Sequence, residues 1–148
     1  MGITMKQVIK FKSDKKHYKA DACVVWCFDD RFTELLGELN QFWFKHVDLV
    51  KVAGGAKGLT DEADGVRYIE AQILKSIKLH NTGLVILMIH KDCGAYGDLS
   101  SVLNLNEFLI DQLKKAKKNL EAFLSLEGSD SVDVKTYLAD FDGLWEVE

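Results

Sequence analysis

From Ala22 to Phe28 the chain is apolar at almost every position, without the polar alternation of a strand that has one wet face. Such a run reads as a strand buried on both sides, which needs helices packed over both faces of its sheet. The run Leu84 to Ile89 has the same character and reads as a third strand, far below the ~20 residues of a membrane span. Asp48 to Ala53 reads as the second strand and leads into Gly54-Gly55. Between these runs the apolar spacing becomes helical. Leu35, Leu36, Leu39, Phe42 and Trp43 mark a helical face over Thr33 to Phe44. Val66, Ile69, Ile73, Leu74 and Ile77 mark a longer helix, capped by Thr60 or Asp61 and stopping near Asn81-Thr82-Gly83.

A further helix, opened by Asn104 or Asn106, carries Phe108, Leu109, Leu113, Ala116, Leu120, Phe123 and Leu124 on one face and ends at Gly128. Val132 to Leu138 is a fourth strand, and Asp142-Gly143 turns it into a short last strand, Leu144 to Val147. Strands alternating with helices predict an α/β fold: a three-layer sandwich with a mainly parallel sheet of four or five strands. The expected strand order is 2-1-3-4, with a short antiparallel strand at the C-terminal edge. With 148 residues, no proline, no linker and no internal repeat, the chain is expected to form one domain over residues 1–148.

Charge narrows the class of partner. A net charge of −4 gives no electrostatic ground for nucleic-acid or anionic-membrane binding. Met1 to Lys19 is Lys-rich but has no apolar core of signal-peptide length, and Lys6 stands where a myristoylation signal wants Ser or Thr. The expected location is the cytoplasm. Three cysteines, an odd number, argue for reduced thiols and against a disulfide framework.

In a parallel sheet, ligands bind beyond the carboxyl ends of the strands, where the strand order switches. Cys27 closes the first strand and His90 follows the third, and these two strands are neighbours in the expected order. The topology therefore joins Cys27-Phe28-Asp29-Asp30-Arg31 to His90-Lys91-Asp92-Cys93-Gly94. Two thiolates and one imidazole leave the fourth corner of a tetrahedral Zn²⁺ site open, the usual arrangement of a catalytic zinc. Water at that corner would ionise near neutral pH. Asp29 and Arg31, two apart, can point the same way, so that an ionised Asp29 fixed by Arg31 accepts a hydrogen bond there. The same carboxylate could instead swing onto zinc and close the site.

Cys27-x-Asp29-x-Arg31 with His90-x-x-Cys93-Gly94 resembles the signature of the β-class carbonic anhydrases, and Ala53-Gly54-Gly55 sits where that family has a glycine-rich loop. The resemblance implies Cys27, His90 and Cys93 as zinc ligands and Asp29 with Arg31 as a catalytic dyad. Gly54, Gly55 and Gly94 would line the pocket around the metal. It also implies reversible hydration of carbon dioxide to bicarbonate by zinc-bound hydroxide, in a homodimer or higher homo-oligomer. Two features depart from the family: only about twenty residues precede the first strand, and no Arg-Asn precedes the Ala-Gly. The alternatives are hydrolysis of a related heterocumulene, carbonyl sulfide or carbon disulfide, and a zinc-binding regulatory protein without turnover.

Other residues have plainer readings. Cys23 is expected in the core, and Trp26, Phe28 and Trp43 in the core or at a dimer contact. Lys114, Lys115, Lys117 and Lys118 are expected on a solvated helix face, and His17, His46 and His80 exposed. Asp92 reads as a turn residue in preference to a partner for Arg31.

Overall fold

The computed structural model describes residues 2, 4–60 and 64–148, apart from the side chain of Phe42. Its strands are β1 (Ala22–Cys27), β2 (Val47–Val52), β3 (Leu84–His90), β4 (Asp133–Ala139) and β5 (Leu144–Val147), and its helices α1 (Thr33–Phe42), α2 (Val66–His80) and α3 (Leu105–Leu126). The sheet order is β2-β1-β3-β4-β5, parallel except for the antiparallel β4–β5 pair. This is the expected architecture, and its switch point lies between β1 and β3.

Alternation along the strands sorts the core into two halves. Cys23, Val25, Val85, Leu87 and Ile89 pack with Ile69 and Ile73 of α2 and with Leu109, Leu113 and Leu120 of α3. Ala22, Val24, Trp26, Ile86 and Met88 pack on the other side with Phe32 and with Leu39 of α1. Each fully buried aliphatic side chain contributes roughly 1.5–3 kcal/mol, enough to hold β1 and β3 rigidly at the middle of the sheet. The cationic face of α3 is solvated as expected, with Lys115 paired to Asp111 at 2.9 Å and Lys117 to Glu121 at 3.9 Å.

Local chemistry sets the helix ends. Asn104 caps α3, its Oδ1 accepting from the Glu107 nitrogen at 3.1 Å. Asn81 ends α2 in the left-handed conformation at φ 50°. The start of α2 differs from expectation: it begins at Val66 with Gly65 at the cap position. Thr60 is unavailable as a cap because its hydroxyl donates to the Lys57 carbonyl at 2.7 Å, closing a 3-10 turn over Gly55–Leu59. Asp61 lies outside the described residues.

At the amino end of the sheet, His80 departs from its expected exposure. Its Nδ1 lies 2.6 Å from Asp48 Oδ2, because the last residue of α2 settles over the start of β2. Tyr18 Oη donates to Asp48 Oδ1 at 2.6 Å and Ser76 Oγ donates to Asp48 Oδ2 at 2.7 Å. The Tyr18 ring also stacks on His46 and His80, with centroids 5.2 and 4.2 Å away. His46 and His17 are exposed. Burial alone would raise the Asp48 carboxyl, but the bonds from Tyr18, Ser76 and His80 outweigh it and hold it below its ordinary value. Trp26 is fully buried, whereas Phe28 and Trp43 are exposed.

Candidate metal centre

The parallel register carries the ends of β1 and β3 to the same edge. Cys27 pairs with Val52, so the turn that follows β2 passes directly beside it. His90 ends β3 level with Ala139, and the Lys91 nitrogen donates to the Ala139 carbonyl at 2.9 Å. Asp92 then takes a positive φ of 58°, a conformation Asp tolerates better than most residues. That reversal returns Cys93 toward Cys27, and the two sulfurs stand 3.9 Å apart.

His90 completes the cluster. Its side chain is fully buried, and its Nδ1 donates to the Lys91 carbonyl at 2.7 Å, which places the lone pair on Nε2. Nε2 has no hydrogen-bond partner, and the ligand atoms of His90, Cys27 and Cys93 all lie within 4.8 Å of one another. Two thiolates about 2.3 Å from a tetrahedral zinc stand about 3.8 Å apart, close to the separation found here. The donor set, the spacing and the orphaned nitrogen all fit a zinc ion. Among the described residues, no other group of three His, Cys, Asp or Glu side chains converges in this way.

Burial pushes the Cys93 thiol up to about 11, and its proximity to Cys27 acts in the same direction. The thiol is therefore protonated at neutral pH until a cation displaces its proton. Cys23 is a core residue as expected, pushed up to about 12 chiefly by burial.

Glycine is required where the loop crosses β1. Gly54 (φ 79°) donates its N–H to Cys27 Sγ at 3.4 Å. A Cβ at Gly55 (φ 55°) would fall 2.5 Å from the Met88 carbonyl oxygen and 2.9 Å from the Cys27 nitrogen. Both obstacles are backbone, so this close approach excludes a side chain. Gly54 and Gly55 thus pack behind Cys27. Gly94 lies on the outer side, lining a cavity of about 420 Å³ with Asp92, Cys93, Gly97 and Asp98.

Asp29 follows the end of β1 and accepts from the Arg31 nitrogen at 3.1 Å. Arg31 Nε donates to Asp29 Oδ1 at 3.0 Å and Nη2 to Oδ2 at 2.7 Å, a bidentate pair. These bonds with Arg31 hold the Asp29 carboxyl down at about 2 against the opposing effect of desolvation. Asp29 Oδ2 lies 3.8 Å from His90 Nε2, beside the position a shared ion would take. Asp30 points elsewhere, 3.4 Å from the Thr33 hydroxyl.

Arg31 is held from a second side. Its Nη1 donates to Asp92 Oδ2 at 2.9 Å and its Nη2 to the Asp92 carbonyl at 3.0 Å. Asp92 is therefore both the turn residue and the Arg31 partner. Phe141, which the sequence reading did not single out, lies 5.3 Å from the Arg31 guanidinium. Its position after β4 has no sequence motif to mark it.

A family model described as "Putative carbonic anhydrase" matches residues 17–128. No curated protein matches the sequence. Among solved structures, the β-carbonic anhydrase isoform I of Trichomonas vaginalis is 15% identical, with a TM-score of 0.65 over 93% of this chain and 87% of that one. A carbonic anhydrase from Glaciozyma antarctica is 17% identical, with a TM-score of 0.57 over 89% of this chain and 84% of that one. A β-carbonic anhydrase of Sordaria macrospora, described as tetrameric, is 14% identical, with a TM-score of 0.53 over 88% of this chain and 81% of that one. These likenesses establish a shared fold, and the family match, which spans most of the chain, establishes membership. The chain belongs to the carbonic anhydrase family, as a divergent member with the β-class fold.

Proposed function

We propose that this protein is a zinc enzyme that reversibly hydrates carbon dioxide to bicarbonate, with Cys27, His90 and Cys93 holding the metal. The observation that carries this reading is the convergence of Cys27, His90 and Cys93 within 4.8 Å, with His90 Nε2 buried, without a hydrogen-bond partner and 3.8 Å from Asp29. A zinc ion so held supplies Lewis acidity that brings the ionisation of water toward neutral pH. The protein's part is to orient and to exclude. The carbonyl of Lys91 fixes the His90 ring, and the Gly54 N–H steadies the Cys27 sulfur. Asp29, kept ionised by Arg31, would accept a hydrogen bond from the reacting water and align it toward the substrate. Asp92, acting through Arg31, prevents Asp29 from rotating away.

The finer assignments follow from this reading. Gly54, Gly55 and Gly94 shape the space around the metal. The functional unit is a homodimer or larger homo-oligomer, supported by Phe28, Trp43 and Phe141, each more than half exposed near the site end or on the α1 side. The β-class structure described as tetrameric has the same fold. A cytoplasmic location suits a centre built on thiols that must stay reduced. No helix of the described residues is long and apolar enough to cross a membrane. The deciding experiment combines elemental analysis with a carbon dioxide hydration assay. Zinc near one per chain with turnover supports the reading, and zinc-free protein prepared under reducing conditions without chelator overturns it.

One observation supports the non-catalytic alternative: Asp29 Oδ2 is close enough to His90 Nε2 to reach the open corner after a small shift. Zinc-loaded protein that shows no hydration at any pH would favour it.

A further inference from the structure

A tight turn between paired strands is ordinarily built from small or polar residues. The turn from β4 to β5 is Asp140-Phe141-Asp142-Gly143, and it carries a large apolar ring that stays 63% exposed. Burial in the core therefore does not explain the ring. The turn itself is firmly made. Asp140 Oδ1 accepts from the Asp142 nitrogen at 2.8 Å and from the Gly143 nitrogen at 3.1 Å, and the Asp140 nitrogen donates to the Gly143 carbonyl at 3.0 Å. Lys91 Nζ, on the residue after His90, lies 3.6 Å from Asp140 Oδ2. Because β4 runs parallel to β3 with Ala139 level with His90, this turn stands at the same edge of the sheet as the candidate metal centre.

The contacts of the ring are specific. Its centroid is 5.2 Å from that of Phe32, with the ring planes 32° apart. The Arg31 guanidinium carbon lies over both rings, 5.3 Å from the Phe141 centroid and 5.9 Å from that of Phe32. Phe32 in turn lies 4.4 Å from the His90 ring, tilted by 33°. Asp29 and Asp92 already hold the guanidinium through Nε, Nη1 and Nη2. All guanidinium N–H groups point outward in the plane of the group, so hydrogen bonds restrain its edge and leave its faces open. An aromatic face attracts a guanidinium cation laid over it. Phe141 thus supplies the one restraint that the two aspartates do not, against tipping of the guanidinium out of its plane.

We propose that Phe141 is a positioning residue for the hydration reaction: its ring, delivered by the β4–β5 turn, covers the Arg31 guanidinium and keeps it in line with Asp29. The inference rests on the function proposed above, in which Asp29 orients the reacting water. Phe141 acts through Arg31, and an aromatic face at position 141 is what the role requires. Outer contacts of this kind set the precision of a metal site although they bind neither metal nor substrate.

The test follows the Arg31 Nε–H resonance of the nitrogen-15-labelled full chain, with and without zinc, beside the zinc content and the hydration assay. The Arg31→Lys variant identifies the resonance by its loss. A ring over the guanidinium shields this proton and slows its exchange with water. Phe141→Leu keeps apolar bulk without a π face. It is expected to retain zinc, move the resonance downfield and speed its exchange about 2- to 5-fold, the factor that a cation–π contact at an exposed site is worth. It lowers kcat/KM for hydration as well, by less than Arg31→Ala does. Phe141→Tyr, which restores the ring, returns the resonance, the exchange rate and the activity to the parent values. An unmoved resonance in Phe141→Leu overturns the contact. Normal activity in Phe141→Leu, or an equal loss in Phe141→Tyr, overturns the positioning role while leaving the metal centre intact. A parent chain that takes up no zinc overturns the metal-centre reading and the positioning role together, whereas the resonance, read without zinc, still decides whether Phe141 holds Arg31.

Discussion

Asp48 and Asp29 stand at opposite ends of one sheet; Asp48 is gripped by groups from distant parts of the chain, Asp29 by Arg31 two residues on. Around Asp48, near the start of β2, Tyr18, Ser76 and His80 supply contacts of 2.6–2.7 Å. None of the orphaned buried atoms belongs to these residues. Around Asp29, just beyond β1, the arginine clamp is equally complete, yet His90 Nε2, 3.8 Å from Asp29 Oδ2, has no hydrogen-bond partner. Full mutual satisfaction marks Asp48 as a cluster that holds the fold. Incomplete satisfaction, beside two cysteine sulfurs 3.9 Å apart, marks the Asp29 end as a place that could hold a metal ion.

If that contrast is right, the largest effects belong to the ligands. Cys93→Ser is expected to lose most of the zinc and nearly all hydration activity, measured by elemental analysis and by the assay. It should leave the far-ultraviolet dichroism of the fold in place. Retention of the parent zinc content would break the comparison at its root, since the carboxyl end would then hold no such centre.

Next in size are the dyad variants. Asp29→Asn and Arg31→Ala are expected to keep zinc and to lose hydration by about 10- to 100-fold, the usual cost of losing an orienting partner beside a metal centre. Near-normal turnover with zinc bound would make the Asp29 pair as structural as the Asp48 one. Asp92→Ala sharpens the point: it frees one side of Arg31, so it is expected to lower kcat by a smaller factor than Arg31→Ala.

How far the sequence carried the comparison depends on which end is considered. The sheet and its switch point were legible because burial on both faces leaves a nearly unbroken apolar run, as in Ala22–Cys27 and Leu84–His90. The convergence of Cys27, His90 and Cys93 was legible because topology places strand ends together whatever the intervening chain does. The Asp92–Arg31 contact was not, because it joins residues 61 apart and depends on a positive φ at one position. The Asp48 cluster escaped for a related reason. His80 reads as a polar helix end, and only the docking of α2 over β2 buries it. Thr60 misled because a hydroxyl that can cap a helix can equally close the turn before it.

A third prediction falls on that amino end. Asp48→Asn removes the charge that Tyr18, Ser76 and His80 converge on, and it is expected to destabilise the fold by about 1–3 kcal/mol in chemical denaturation. Zinc content and hydration activity of the folded fraction should not change. Loss of zinc here would mean that the two ends are coupled and that the division drawn between them is false.

The smallest effect concerns Tyr18, and its dependence on pH is the finest test of the contrast. Tyr18→Phe deletes one hydrogen bond to a carboxylate, worth about 1 kcal/mol because Tyr18 is more than a third exposed and solvent screens the contact. The Asp48 bond pushes the Tyr18 hydroxyl from about 10 up to about 12. A group raised on folding stabilises the folded state fully below its unfolded value and loses that contribution as pH rises through the folded one. Asp48 is shifted the opposite way, so its share is present above the ordinary carboxylate range and fades as pH falls through the lowered value. The stability difference between parent and Tyr18→Phe should therefore be level through neutral pH. It should shrink in acid as Asp48 takes up a proton, and shrink again above about pH 10 as Tyr18 begins to ionise in the unfolded chain. Equilibrium denaturation of the two proteins across pH measures it directly. A difference that instead grew in acid would show that Tyr18 is held by its stacking on His46 and His80, and that Asp48 is not the hub of its own cluster.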